Sequence, residues 1–146
     1  MPLMAALRPC KPYLSSEVKT GKQALTKEHR SRIQTKTTTR ILTSLNFDAA
    51  TQPQFPRHAR WDYLLEVKLA NAPAKTIAVE FHSIELSRLL KKRRDSKEIL
   101  AAECDPAPKV SDWILVPEGD TGGFAVTVRR KLAQEGISTA RRLLEI

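Results

Sequence analysis

The chain has 146 residues, 41% of them hydrophobic and only 5% aromatic, which suffices for one domain whose core is built mostly from Leu, Ile, Val and Ala. Twenty-five Lys and Arg against sixteen Asp and Glu give a net charge of +9, a balance that favours a polyanionic partner, because each cation that neutralises a phosphate releases a counterion. No apolar run approaches the ~20 residues needed to cross a bilayer, and the proline-broken start MPLMAALRPCKPYLSS makes a poor secretory signal, so a cytoplasmic protein without membrane contact is expected.

Residues 1–30 read as a basic, flexible N-terminal arm with little periodicity, and residues 31–146 as the folded domain. Nine basic and two acidic residues between 8 and 40 supply +7 of the net charge. Ile33, Ile41, Leu42 and Leu45 stand at near-helical spacing and predict a helix over 32–45, although the run TKTTT is poor helix material. Residues 46–60 form a loop with Pro53 and Pro56. WDYLLEVKLA, 61–70, then alternates, with Tyr63, Leu65, Val67 and Leu69 on one face and Asp62, Leu64, Glu66 and Lys68 on the other. After the turn NAPAK, TIAVEFH alternates too, with Ile77, Val79 and Phe81 against Thr76, Ala78, Glu80 and His82. Strands this closely linked predict an antiparallel hairpin. Their apolar faces coincide only if paired residue numbers sum to an even number, as in Asp62 with His82 or Glu66 with Ala78. Asp62, Glu66, Glu80 and His82 then share one face.

Ser83 as N-cap and Glu85 in the first turn predict a helix running to about Cys104, before Asp105-Pro106. Its apolar stripe is Leu86, Leu89, Leu90, Leu100, Ala101 and Cys104, with Arg93 and Lys97 inside it. WILVP at 113–117 and GFAVTV at 123–128 read as strands, RRKLAQEG as a helix closed by Gly136, and RRLLEI as a last strand. The order implies an α/β (α+β) class: a single mixed central sheet with an antiparallel hairpin, flanked by helices. Cys10 and Cys104 form no motif and read as reduced thiols, with one disulfide left open. GDTGG, 119–123, lacks the spacing of a phosphate-binding loop, no Cys/His pair has zinc spacing, and no Ser-His-Asp set can be assembled.

Two carboxylates on neighbouring strands suit a hard cation such as Mg²⁺, which takes oxygen ligands and keeps several waters. Asp62 and Glu80 fit that role, His82 fits a third functional position, and Glu66 or Glu85 offers a further ligand. The competing reading is a polar sheet face with no site.

An Asp at the start of one strand, a Glu in the next followed two residues later by a functional group, then a helix and a further strand, resembles the PD-(D/E)xK, restriction-endonuclease-like fold over Ile33 to Pro117. VEFH, the Lys-rich helix and LAQEGIS…RRLLEI are also similar to a group of uncharacterised bacterial proteins with an E-V-H strand. The resemblance implies a nucleic-acid-engaging protein with a Mg²⁺-dependent phosphodiesterase (nuclease) reaction. Asp62 and Glu80 would be metal ligands, and Asp62, Glu80, His82 and Lys92 the catalytic set. His82 stands where the family has lysine, a role that Lys91, Lys92, Arg93 or Lys97 of the following helix could fill, and no proline precedes Asp62. Arg88, Lys91, Arg93, Arg94 and Lys97 are the expected nucleic-acid contacts. A catalytically inactive binding module of the same fold, or a basic RNA- or DNA-binding structural adaptor, is the alternative.

Overall fold

Period-two sequence in the middle of the chain builds a six-stranded sheet with a packed apolar cluster on each face. The computed structural model describes residues 4–81, 85–117, 126–140 and 143–146. In chain order the elements are a 3-10 turn at Ala5–Leu7, α1 (Pro12–Ser15), β1 (Lys19–Thr20), α2 (Lys27–Ser31), β2 (Ile33–Gln34), β3 (Thr39–Asn46), α3 (Phe47–Thr51), β4 (Tyr63–Leu69), β5 (Lys75–Glu80), α4 (Leu86–Glu103), β6 (Asp112–Leu115), α5 (Val126–Gln134), β7 (Ile137–Thr139) and β8 (Leu144–Glu145). The sheet order is β1-β3-β4-β5-β6-β7, and β2 with β8 makes a separate parallel pair. Strands β1, β3, β4 and β5 pair antiparallel, whereas β6 and β7 add in parallel through the crossover helices α4 and α5. The class is therefore mixed α/β, as expected. Among the described residues no helix is long and apolar enough to cross a membrane.

The hairpin forms with the predicted faces in a shifted register. Tyr63 pairs with Val79 and Glu66 with Thr76, two residues away from the expected Glu66–Ala78 pair. A shift of two preserves the faces, because side chains alternate with period two. Tyr63, Leu65, Val67, Ile77, Val79 and Phe81 pack with Leu25, Ile33 and Leu144 on one side. Leu64 and Ala78 pack on the other with Leu89, Ile99 and Leu100 of α4.

Five expectations are corrected. Residues 47–51, expected in a loop, form α3, with Asn46 Oδ1 accepting the Ala49 amide at 3.0 Å. The helix expected over 32–45 is replaced by β2, a turn and β3: β3 pairs along β4, and the β-branched threonines suit a pleated, half-buried surface better than a helix. The segment expected to be a flexible arm packs on the core from Met4 onward. Met4, Leu7, Leu14, Val18 and Leu25 are each at most 3% exposed, and burying one such side chain is worth roughly 1.5–3 kcal/mol. Val126–Val128, expected in a strand, open α5, while residues 123–125 lie outside the described residues. Cys10 and Cys104 are joined in a disulfide, facing each other across an isolated antiparallel bridge rather than standing as reduced thiols. Gly136 does close α5, at φ +76, where a side chain would be strained.

Candidate functional site

Asp62 lies one step before β4, and Glu80 ends β5, so pairing of the two strands brings their ends together. The Asp62 amide donates to Glu80 Oε1 at 2.9 Å, and the Phe81 amide donates back to Asp62 Oδ2 at 3.0 Å. Each carboxylate is thus oriented by the other residue's strand. Lys92 of α4 completes the group, its Nζ lying 2.5 Å from Glu80 Oε2. Glu80 is 0% exposed and Asp62 9%, whereas the Lys92 side chain keeps 22% exposure. The ammonium is therefore the member of the group that reaches water.

The rotation of α4 selects Lys92 from its basic neighbours. The buried residues of this helix are Leu89, Asp95, Ser96, Ile99 and Leu100. Lys92 sits three before Asp95 and three after Leu89, on that same face. Of the expected stripe, Leu89, Leu100 and Cys104 are buried and Leu86 and Leu90 pack partly against the core, but Ala101 is exposed and the buried face extends round the helix to Asp95, Ser96 and Ile99. Two hydrogen bonds account for that extension: Asp95 Oδ2 accepts the Ala59 amide at 2.9 Å, and Ser96 Oγ accepts the Trp61 amide at 2.8 Å. Both tie the loop that leads into Asp62 onto α4. Burial pushes the Asp95 carboxyl up, but the Lys91 ammonium and the Ala59 amide outweigh it and hold the group below the usual carboxylate range.

The expected residues separate into groups. Asp62, Glu80 and Lys92 come together, while His82, with Ser83, lies outside the described residues. Glu66 does not join them: its carboxylate accepts the Thr43 hydroxyl and the Ala5 amide, both at 3.1 Å, and so anchors the N-terminal segment. Glu85 is the exposed N-cap residue of α4, with no side-chain cap bond. Arg88, Lys91 and Arg94 are exposed. Arg93 turns to Glu135, bonding its carbonyl and standing 3.8 Å from its carboxylate. Lys97 lies 5.8 Å from the centre of the Trp113 ring. Asp95 and Ser96, which sequence reasoning passed over, are what fix the helix. The available signal was Asp95 itself, the single acid in the run from Arg88 to Lys97.

The opposite side of the β5 end is aromatic. His29 stacks on Phe81 with ring centres 4.3 Å apart, and its Nδ1 lies 2.8 Å from the Tyr63 hydroxyl. Burial raises the Tyr63 pKa above its ordinary value. The backbone that presents the Phe81 amide to Asp62 is thus packed from below.

Among the described residues no group of three or more His, Cys, Asp or Glu side chains gathers as a metal centre. The donor set at Asp62 and Glu80 is two carboxylates, which fits Mg²⁺, since that ion binds through one or two carboxylates and fills its remaining positions with water and phosphate oxygen. Comparison with known proteins finds no matching family model, no matching curated protein and no matching solved structure.

Proposed function

We propose that the chain is a nucleic-acid-engaging protein of the restriction-endonuclease-like, PD-(D/E)xK kind, with Mg²⁺-dependent phosphodiester hydrolysis as its reaction. The observation that carries this reading is the convergence of Asp62, Glu80 and Lys92 from three separate segments. The order of elements supports it: an acid before one strand, an acid at the end of the next, then a helix and a parallel strand. A lysine supplied by α4 stands in for the one that the β5 strand lacks. Net charge of +9 supports a polyanionic substrate.

Asp62 and Glu80 would hold the ion, which, when bound, polarises a phosphate and lowers the pKa of a bound water. Lys92 is placed to steady the negative charge that develops on the phosphate, since its ammonium is already drawn to this spot and has two donors beyond the one on Glu80. The amides of Asp62 and Phe81 hold the carboxylates in orientation before substrate arrives.

One observation favours a second reading, a catalytically inactive binding module of the same fold. Glu80 is fully buried and its two oxygens already accept from Asp62 and Lys92. Incubation with DNA duplex and with single-stranded RNA in Mg²⁺ or Mn²⁺ separates the two. Cleavage that disappears in Glu80→Gln while binding persists supports hydrolysis. Binding without cleavage in any divalent ion, unchanged in Asp62→Asn and Glu80→Gln, leaves the inactive module.

A further inference from the structure

The cations of α4 are not equivalent. Arg93 and Lys97 are engaged with Glu135 and the Trp113 ring, on the side of α5 and β6. Lys91 and Arg94 instead gather on one carboxylate: Asp95 Oδ2 lies 2.5 Å from Lys91 Nζ, and Asp95 Oδ1 lies 3.7 Å from Arg94 Nε. The same Asp95 accepts the Ala59 amide. The acid is 5% exposed, whereas the side chains of Lys91 and Arg94 are 51% and 66% exposed. A buried acid therefore fixes two solvent-facing cations against the loop that enters Asp62.

That loop is itself basic. Arg57 is exposed, two residues from the amide that Asp95 holds. His58 pairs with Glu98 at 3.6 Å, and Arg60 is committed to Asp48 and to the carbonyls of Phe55 and His58. Pairing with Asp95 does not exhaust Lys91 or Arg94, because an ammonium carries three donors and a guanidinium five.

We infer that Arg57, Lys91 and Arg94 form a phosphate-backbone clamp, organised by Asp95, that leads a nucleic-acid strand to the Asp62–Glu80–Lys92 cluster. The choice of partner rests on the reading under Proposed function. The chemistry recognised is the phosphodiester backbone shared by DNA and RNA, so the clamp reads no bases. Asp95 is a positioning residue: it touches the cations and the loop, and a strand meets the cations.

The test is binding of a fluorescently labelled DNA duplex and of a labelled single-stranded RNA to the full chain across a salt series. Each lost phosphate contact flattens the slope of log K against log salt by about 0.9 for duplex and about 0.7 for a single strand. The double variant Lys91→Gln/Arg94→Gln is expected to flatten it by two such steps and Arg57→Gln by one, while Lys75→Gln, at the opposite end of β5 from Glu80, leaves it unchanged. Asp95→Asn keeps an acceptor for the Ala59 amide and adds one positive charge to the total. Charge alone would tighten binding; the clamp requires several-fold weaker binding, with the fold checked by a melting curve. Tighter binding by Asp95→Asn, or a parent slope in the double variant, overturns the clamp, as does a parent that binds neither probe at low salt. Salt-dependent binding of the expected pattern without any cleavage supports the clamp and removes only the hydrolytic reading.

Discussion

Glu66 and Glu80 stand on the same face of one hairpin, and both are buried, at 7% and 0% exposure. Their surroundings differ in kind. Glu66 is held by neutral donors, the Thr43 hydroxyl and the Ala5 amide, and the result is an anchored N-terminal segment. Glu80 is held by the Asp62 amide and by the Lys92 ammonium, delivered by a helix and still partly wet. A carboxylate closed by backbone and hydroxyl is settled into the fold. A carboxylate closed by a long, movable cation can exchange that cation for another. The lower end of the sheet face is therefore structural, and the upper end is the candidate site.

The sharpest way to break this contrast is to remove the cation. Lys92→Met leaves Glu80 buried without its ammonium, and breaking one partner of a buried ion pair costs about 3–5 kcal/mol. The 22% exposure of the Lys92 side chain lets water compensate in part, so the lower end of that range is expected. Adding Glu80→Gln to Lys92→Met should recover most of the loss, because the double variant no longer buries an uncompensated charge. Urea midpoints of the three proteins decide it; a single variant as stable as the parent would mean that Glu80 does not depend on Lys92.

The N-terminal segment offers the next largest effect. It is tied at Ala5 to Glu66 and at Cys10 to Cys104, a separation of 94 residues. Releasing a disulfide that closes so long a loop costs typically 2–4 kcal/mol. Purified protein should show no titratable thiol before reduction, and should lose stability by that amount in a thiol reductant. The variant Cys10→Ser/Cys104→Ser should behave like the reduced parent, and indifference to reduction would argue that packing of Met4, Leu7 and Leu14 alone holds the segment.

A smaller effect is expected at the neutral counterpart. Glu66→Gln keeps a carbonyl acceptor and loses only charge-assisted strength, so about 1 kcal/mol is expected. A loss equal to that of Lys92→Met would erase the distinction between the two ends of the hairpin.

How far the sequence could show this follows from which periods survive folding. Asp62 and Glu80 were legible because period two places them on one face whatever the even-numbered register. Lys92 was legible only as one of several cations, because the inward side of α4 is set by its rotation. The buried face reads too narrow in the sequence because Asp95 and Ser96, polar by type, are buried through bonds to the Ala59 and Trp61 amides, which no apolar count detects. Strand β3 was hidden by a register shift between Ile41 and Thr43, which breaks the alternation and leaves Ile41, Leu42 and Leu45 at helix-like spacing. The N-terminal segment lacked any period because its buried residues come from a 3-10 turn, a four-residue helix and the links between short elements.

The smallest expected effect lies at Asp95 and appears only in acid. Its carboxyl is held below the usual range in the folded chain, so folding releases its proton more readily than the unfolded chain does. A group of this kind contributes its full stabilisation above the unfolded value of about 3.9 and loses it as the pH falls through the lower folded value. Protonation withdraws the charge that attracts Lys91 and Arg94, although a neutral acid still accepts the Ala59 amide. The loop before Asp62 should therefore loosen below about pH 4, while Glu66 and its neutral donors are unaffected by loss of this cation pairing. Hydrogen exchange at the Ala59 and Trp61 amides, corrected for the intrinsic pH dependence, should quicken across that window in the parent. In Asp95→Asn the same correction should leave it flat. A parent whose corrected exchange at these amides does not change between neutral pH and about pH 3 would show that Asp95 holds the loop by shape alone, and that its charge serves only Lys91 and Arg94.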